Sequence, residues 1–229
     1  MMKVKIGETV GDYRTVWMED SVVKLINQPL LPHRFEIYKS TNYGETSDAI
    51  RNMIVRGAPA IGATAAFGVA QGALRFRGDD MEEFRGYMTG VGYSIKESRP
   101  TAYDLFYAVD MMIGELGKAE SVRDAKDILV KASNEYADRS VEFCRRIGLN
   151  GEKLIHEGIG ILTHCNAGAL ACVDYGTALS PMRLAKSNGK RFHVFVDETR
   201  PRCQGSRLTA WELMQEDIDH SIVADNAAG

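Results

Sequence analysis

The residues with the clearest capacity for chemistry form the run 54–62, which reads IVRGAPAIG. Pro59 has no amide hydrogen and a preset φ, so it fits the first position of a helix. The amides of Gly57 and Ala58 are then left free at the positive end of the helix dipole, beside the forked cation of Arg56. The run predicts a phosphate-binding helix start. A tight helix start with a surface arginine is the alternative.

Cys165 is the one side chain whose position indicates covalent or acid/base chemistry. It follows an apolar run at 160–163 and precedes a predicted helix, whose dipole would stabilise a thiolate. Asn166 and Gly168 are expected to leave room for a small ligand. A buried structural cysteine is the alternative. His164 receives no role, because neighbouring residues on a strand point to opposite faces.

The other three cysteines carry no comparable argument. Cys144, Cys172 and Cys203 are expected to be core residues or passive thiols. The chain has no CxxC pair and no paired histidine spacing, so the sequence indicates neither a zinc site nor a disulfide framework.

Two further polar residues can complete a site. Arg99 precedes a predicted helix start and would supply a second cation to the phosphate held by Arg56, unless it is a solvated loop charge. Gln204 lies in the loop after the second apolar run of the carboxyl-terminal part. Its amide can donate to and accept from sugar hydroxyls, or it can order the loop.

Composition excludes several classes of function. The chain has 229 residues, 45% hydrophobic and 26% charged, with a net charge of -3 and a sequence pI near 6.0. This balance does not favour nucleic-acid binding, which needs clustered positive charge. The apolar stretches are too short and too often interrupted for a membrane span, and the amino terminus lacks a signal-peptide pattern. We expect a cytoplasmic protein with a sizeable core.

The pattern predicts a mainly helical domain over 1–148. Short β-like pieces open it at 4–6, 15–18 and 22–26, and a helix is expected over 45–55. Thr101 and Ser121 are predicted to cap two later helices, the second of which ends near Gly148. The helix after Arg56 is rich in alanine and glycine, which suits close packing in the interior.

The second predicted domain, 149–229, alternates strand and helix. Apolar runs at 160–163, 192–196 and 220–224 each end in polar residues, at a spacing of about 30 residues that fits βαβ units in a parallel sheet. Ligands bind outside the carboxyl ends of such strands. Asp197 and Glu198 lie at one of these ends as further candidates for the site; capping the next helix, or pairing with Arg200 or Arg207, is the alternative.

Five segments together resemble the 5-methylthioribose-1-phosphate isomerases, within the family of the α, β and δ subunits of translation initiation factor 2B. They are IVRGAPAIG (54–62), SRPTAYDL (98–105), ILTHCNAGALA (161–171), DETRPRCQGSRLTAWEL (197–213) and DNAAG (225–229). The resemblance implies a helical domain followed by a Rossmann-like domain, and a homodimer. It also implies that Arg56, Gly57, Ala58, Arg99 and Gln204 bind substrate, that Cys165 is catalytic, and that no metal or cofactor is needed.

Two departures from the family pattern limit the resemblance. Residues 202–206 read RCQGS, where the family has two apolar residues before the glutamine and an alanine after the next glycine, so substrate preference is expected to differ. The family's catalytic aspartate lies in a Gly-Ala-Asp-Arg-Ile segment, followed by an Asn-Lys contact, and residues 1–229 contain neither. Asp225 matches an earlier Asp-Asn element. The Rossmann-like domain is therefore expected to be truncated and the 229-residue chain to be inactive.

The function implied by the resemblance is an aldose to ketose isomerisation in methionine salvage, from 5-methylthioribose 1-phosphate to 5-methylthioribulose 1-phosphate. The alternatives are an isomerase of 5-deoxyribose 1-phosphate or ribose 1,5-bisphosphate, and a noncatalytic subunit similar to initiation factor 2B.

Overall fold

The computed structural model describes residues 1–229 as a mixed α/β protein. The strands are β1 (Met2–Ile6), β2 (Thr9–Tyr13), β3 (Val16–Glu19), β4 (Val22–Ile26), β5 (Ile37–Ser40), β6 (Gly160–Thr163), β7 (His193–Asp197) and β8 (His220–Val223). The helices are α1 (Tyr43–Arg51), α2 (Ala58–Arg75), α3 (Met81–Lys96), α4 (Tyr103–Glu115), α5 (Val122–Gly151), α6 (Leu179–Ser187) and α7 (Ala210–Gln215). None of these helices has the length and apolar character needed to cross a membrane.

The chain divides into two compact units that do not follow chain order. Residues 16–27 and 37–139 form one, called here the helical unit. Residues 1–15, 28–36 and 140–229 form the other, called the sheet unit. The division after residue 139 falls inside α5, and the domain boundary predicted after residue 148 stays a prediction.

The helical unit is built around α2. This helix is buried along most of its length, and the antiparallel sheet β3-β4-β5 belongs to the same unit. Its small residues permit close contacts: a Cβ atom added at Gly62 would lie 2.5 Å from the Tyr136 hydroxyl oxygen. The close packing predicted from the alanine and glycine content is confirmed.

Two predicted helix caps have different outcomes. Ser121 caps α5 as predicted, because its hydroxyl accepts the Asp124 amide at 3.2 Å. The prediction for Thr101 is wrong. The residue before α4 is Ala102, which makes no side-chain cap, and its amide closes a turn onto the Arg99 carbonyl at 3.1 Å.

The sheet unit contains the predicted parallel sheet, in the order β6-β7-β8. One face is buried in a core cluster of Ile155, Leu179, Met182, Ala185, Phe192, Val194, Val196, Leu213 and Ile218. Each large apolar side chain there contributes about 1.5–3 kcal/mol by leaving water. On the other face, Leu162 and Phe195 are paired in register and remain 49% and 41% exposed. The carboxyl ends of the three strands bring their polar loops to one edge.

Candidate active site

Cys165 lies two residues beyond the end of β6, and its main chain is held at both polar atoms. Its φ of +61° lies in the left-handed region, which residues other than glycine rarely adopt. The Cys165 amide donates to the Thr199 hydroxyl at 2.8 Å, and the Cys165 carbonyl accepts from the Thr209 hydroxyl at 2.6 Å. Two threonines from separate segments therefore clamp this half-buried residue. Its catalytic role stays a prediction.

The helix predicted directly after Cys165 is wrong. Residues Ala169–Ala171 form a short 3₁₀ turn, which carries little dipole. The Ala169 and Leu170 amides donate to the buried Glu212 carboxylate at 2.7 and 3.3 Å. The Glu212 carboxylate, from α7, thus accepts from amides that were predicted to begin a helix. The structure therefore does not support stabilisation of a Cys165 thiolate by a helix dipole.

Asn166 and Gly168 both lie against the Glu212 carboxylate. The Asn166 side-chain amide donates to the Glu212 carboxylate at 2.8 Å and to the Thr209 hydroxyl at 3.1 Å. A Cβ atom at Gly168 would lie 2.3 Å from a Glu212 oxygen. Burial raises the pKa of Glu212, and the bond from Asn166 opposes that rise. The prediction that these two residues leave room for a ligand is wrong, because the space is filled by a carboxylate.

His164 is paired with Asp197 at the end of β7. Its Nδ1 atom lies 2.9 Å from a carboxylate oxygen of Asp197, whose side chain is 5% exposed against 65% for His164. Arginine pairing, one of the alternatives predicted for Asp197, is wrong. Arg207 instead donates to the main-chain carbonyls of Pro29 and Leu31.

One group of side chains has the composition of a cation site. Donor atoms of His164, Asp197 and Asp225 all lie within 4.8 Å of one another, and an imidazole with two carboxylates can bind a divalent metal. Asp225 also orders a loop: its two oxygens accept the Thr199 and Arg200 amides at 2.7 and 2.9 Å. The Arg200 and Thr199 amides lower the pKa of Asp225.

Gln204 lies at the start of the segment that reaches Cys165. It is half-buried and directly precedes a π-helical turn, Gly205–Thr209, which leads into α7. A Cβ atom at Gly205 would lie 1.7 Å from the Asp197 carbonyl oxygen, so only glycine allows the turn to approach β7 this closely. The turn ends at Thr209, whose hydroxyl bonds to Cys165. Gln204 and Cys165 therefore belong to the same end of the sheet, and sugar binding by Gln204 stays a prediction.

The Arg56 segment begins α2 as predicted, with one correction. The helix starts at Ala58, so Pro59 occupies its second position and not its first. Gly57 precedes the helix with a φ of +91°, which glycine adopts without strain. The first amides of a helix have no acceptor within it and suit an anion. Arg56 and Gly57 are half-buried and Ala58 is exposed, and phosphate binding by the three stays a prediction.

Arg99 precedes a helix start that adjoins the start of α2. A Cβ atom at Gly62, in the second turn of α2, would lie 3.1 Å from the Asp104 carbonyl at the beginning of α4. Arg56 thus precedes a helix whose second turn contacts the first turn of α4, and Arg99 lies shortly before α4. This placement favours a shared anion, which stays a prediction.

One protein-family model matches most of the chain. The model described as "Initiation factor 2 subunit family" matches residues 54–229, which run from the Arg56 segment to the loop of Asp225. The chain belongs to this family. The family resemblance predicted from the five sequence segments is confirmed.

Within the initiation factor 2 subunit family, the chain is similar to both isomerases and translation factors. A methylthioribose-1-phosphate isomerase from Acetivibrio thermocellus is 47% identical over 92% of this chain. The structure of 5-methylthioribose 1-phosphate isomerase from Pyrococcus horikoshii OT3 is 39% identical, with a TM-score of 0.90 over 94% of this chain. That of translation initiation factor eIF-2B, subunit delta, from A. fulgidus is 38% identical, with a TM-score of 0.87 over 94% of this chain. The chain spans 62%, 61% and 63% of these three relatives.

Sequence reasoning missed the residues that hold Cys165 in place. Thr199 lies in a polar run noted after β7, but nothing in the spacing distinguishes its hydroxyl from its neighbours. Glu212 carries a clearer signal, since a carboxylate between Trp211 and Leu213 is set to be buried and must find donors. Thr209 has no signal apart from its place in the family segment 197–213.

Proposed function

We propose that this chain is the substrate-binding and thiol-bearing part of a sugar 1-phosphate isomerase that converts 5-methylthioribose 1-phosphate to 5-methylthioribulose 1-phosphate, within methionine salvage. The observation that carries the proposal is Cys165, held in a left-handed conformation at the carboxyl end of β6. Main-chain strain of this kind is concentrated at functional sites. The 47% identical relative named methylthioribose-1-phosphate isomerase supplies the substrate class.

Phosphate on the anomeric oxygen determines what the site must do. It blocks simple ring opening through a free hemiacetal, so an acid must assist opening before hydrogen moves from C2 to C1. In a proton route, Cys165 removes the C2 proton and returns a proton at C1 through an enediol. In a hydride route, the thiol stabilises the shifting charge. Deuterium from solvent would enter C1 in the proton route alone.

Arg56, the amides of Gly57 and Ala58, and Arg99 hold the phosphate in this proposal, and Gln204 binds a sugar hydroxyl. Support comes from the contact between the second turn of α2 and the first turn of α4, because Arg56 precedes α2 and Arg99 precedes α4. A guanidinium with free helix amides is a strong combination for phosphate oxygens.

We propose further that the sheet unit of residues 1–229 is incomplete relative to the family, so that these residues bind the sugar phosphate without turning it over. The relatives are longer than the matched part, and Leu162 and Phe195 leave one face of a parallel sheet exposed, whereas such sheets normally have both faces covered. The resemblance also assigns ring opening to an aspartate in a segment that these residues do not contain.

The test is an isomerase assay followed by NMR, using protein extended to the length of the relatives. Three substrates are compared: 5-methylthioribose 1-phosphate, 5-deoxyribose 1-phosphate and ribose 1,5-bisphosphate. We expect the first to react fastest. In the same assay, Cys165→Ser should lower turnover roughly 100-fold or more, the scale of lost acid/base assistance. Near-normal turnover with Cys165→Ser would remove the catalytic role.

A noncatalytic, initiation-factor-like subunit is the second candidate. It is favoured by the likeness to the eIF-2B delta structure from A. fulgidus, at 38% identity and a TM-score of 0.87. If none of the three sugar phosphates reacts, this candidate replaces the isomerase.

The assembly and location complete the proposal. We expect a homodimer in the cytoplasm, as the resemblance implies. Light scattering coupled to size exclusion measures the mass directly, and a monomer at working concentration would contradict the dimer.

A further inference from the structure

We propose that Thr199 and Thr209 are positioning residues, which together impose the left-handed conformation of Cys165 and so fix the direction of its thiol. The inference rests on the proposed role of Cys165 in isomerisation. It goes beyond that role because it assigns a task to two residues that hydrogen-bond to the main chain of the cysteine.

The hydrogen bonds of the two hydroxyls allow a consistent assignment of donor and acceptor. The Thr209 hydroxyl donates to the Cys165 carbonyl at 2.6 Å and accepts from the Asn166 side-chain amide at 3.1 Å. The Thr199 hydroxyl donates to the Asp197 carbonyl at 3.1 Å and accepts from the Cys165 amide at 2.8 Å. Each hydroxyl therefore uses its single proton once and accepts once.

The clamp is anchored in elements that are themselves fixed. Thr209 is fully buried at the end of the π-helical turn. Thr199 has a φ of +58°, a conformation that a β-branched residue does not choose by itself, and its amide is held by Asp225 at 2.7 Å. The left-handed geometry of Cys165 is thus imposed by surrounding contacts and is not a local preference.

Main-chain geometry matters to the thiol because the Cα–Cβ bond follows φ. If Cys165 relaxed to an ordinary negative φ, its sulfur would no longer point towards the reacting carbon of the substrate. A displacement on the order of 1 Å is enough to slow a reaction strongly. The two threonines would then affect the rate while making no contact with substrate.

The test uses the reaction of the Cys165 thiol with iodoacetamide, measured peptide by peptide by mass spectrometry on residues 1–229. The variants are Thr199→Val and Thr209→Val, which keep the branched shape and remove the hydroxyl. Thr199→Ser and Thr209→Ser keep the hydroxyl and are the matched controls. Cys203, also half-buried, is the internal reference for loosening of the neighbouring loop.

Each valine variant should raise the Cys165 rate by about fivefold or more, because a released main chain lets the half-buried thiol reach solvent more often. The Cys203 rate should stay within about twofold, and both serine variants should react at the wild-type rate. An unchanged Cys165 rate in the valine variants would overturn the proposal. So would an equal rise at Cys203, which would mean general loosening. Each valine variant removes one of the two bonds to Cys165, so if one variant fails to fold, the other decides.

A kinetic comparison separates this inference from the proposed function, since the labelling needs no substrate. In protein of the relatives' length, the valine variants should lower kcat about tenfold or more with little change in KM, and the serine variants should recover it. A rise in KM alone would contradict positioning. If labelling changes as expected but the wild type shows no turnover, the clamp stands and the isomerase proposal fails.

Discussion

Single side chains near the end of the parallel sheet act mainly on the main chain of their neighbours. Thr199 and Thr209 bind the main chain of Cys165, and Glu212 binds amides that follow Cys165. Asp225 binds the amides of Thr199 and Arg200. Each such bond to a buried or half-buried amide or carbonyl contributes about 0.5–1.5 kcal/mol, and more where the partner is charged. The main chain that carries the Cys165 thiol is thereby given a defined position.

The phosphate clamp gives a prediction at this scale. Arg56→Ala and Arg99→Ala should each weaken binding of 5-methylthioribose 1-phosphate to residues 1–229 by about 1.5–3 kcal/mol, the cost of losing a charge-assisted contact. Isothermal titration calorimetry measures the loss. Arg85→Ala, an exposed arginine on α3, is the control and should bind as the wild type does. Unchanged affinity in Arg56→Ala would remove the clamp.

Tyr136, which lies against Gly62 of α2, gives a pH prediction. Burial, with a smaller contribution from Asp104, raises the pKa of Tyr136 to about 12 from an ordinary value of 10.0. The folded state therefore keeps a proton that the unfolded chain loses first, so this stabilisation is present below pH 10 and is lost as pH rises towards 12.

In thermal unfolding measured between about pH 10 and 12, the wild type should lose stability faster than Tyr136→Phe, which has no phenolic proton to lose. The two proteins should follow parallel curves below the ordinary tyrosine pKa. Parallel curves across the whole alkaline range would contradict a raised pKa at this residue.

At the scale of elements, the sequence predicted those parts whose pattern is local. The parallel strands, the start of α2 and the Ser121 cap follow from apolar periodicity, proline and a hydroxyl at the right position. The helix after Cys165 failed because a tertiary contact decided it, whereas the Thr101 cap failed because a local turn from Arg99 to Ala102 precedes α4. Glu212, more than forty residues away, takes the amides after Cys165, and no local pattern reports that contact.

Gly205 gives the prediction for this scale, because it lets the π-helical turn touch the end of β7. Gly205→Ala would place a Cβ atom 1.7 Å from the Asp197 carbonyl, so the main chain must move. We expect a loss of about 3 kcal/mol in the free energy of unfolding, measured by urea denaturation. Gly90→Ala on α3, where an added Cβ meets nothing within 4 Å, should stabilise by about 0.5–1 kcal/mol. Equal effects in the two variants would contradict the close approach.

For the whole molecule, the mixed α/β fold and the family could be predicted from the sequence, but the division into units could not. The first strands, β1 and β2, lie in the sheet unit although they precede every helix of the chain. Short polar strands such as β2 and β5 lack an apolar pattern strong enough to read. Residue chemistry and the family segments both pointed to Cys165, Arg56 and Arg99, but neither predicted the contacts that hold Cys165.

We propose that residues 1–229 supply the phosphate clamp and the thiol of a sugar 1-phosphate isomerase, and that turnover also needs groups outside these residues. A single assay tests it: turnover of 5-methylthioribose 1-phosphate by residues 1–229 beside the protein extended to the length of its relatives. We predict turnover by the long form, and binding without turnover by residues 1–229. No turnover by the long form would contradict the isomerase. Comparable turnover by both would contradict the division of roles and assign the ring-opening acid to a residue present here, with Asp197 and Asp225 the first to substitute.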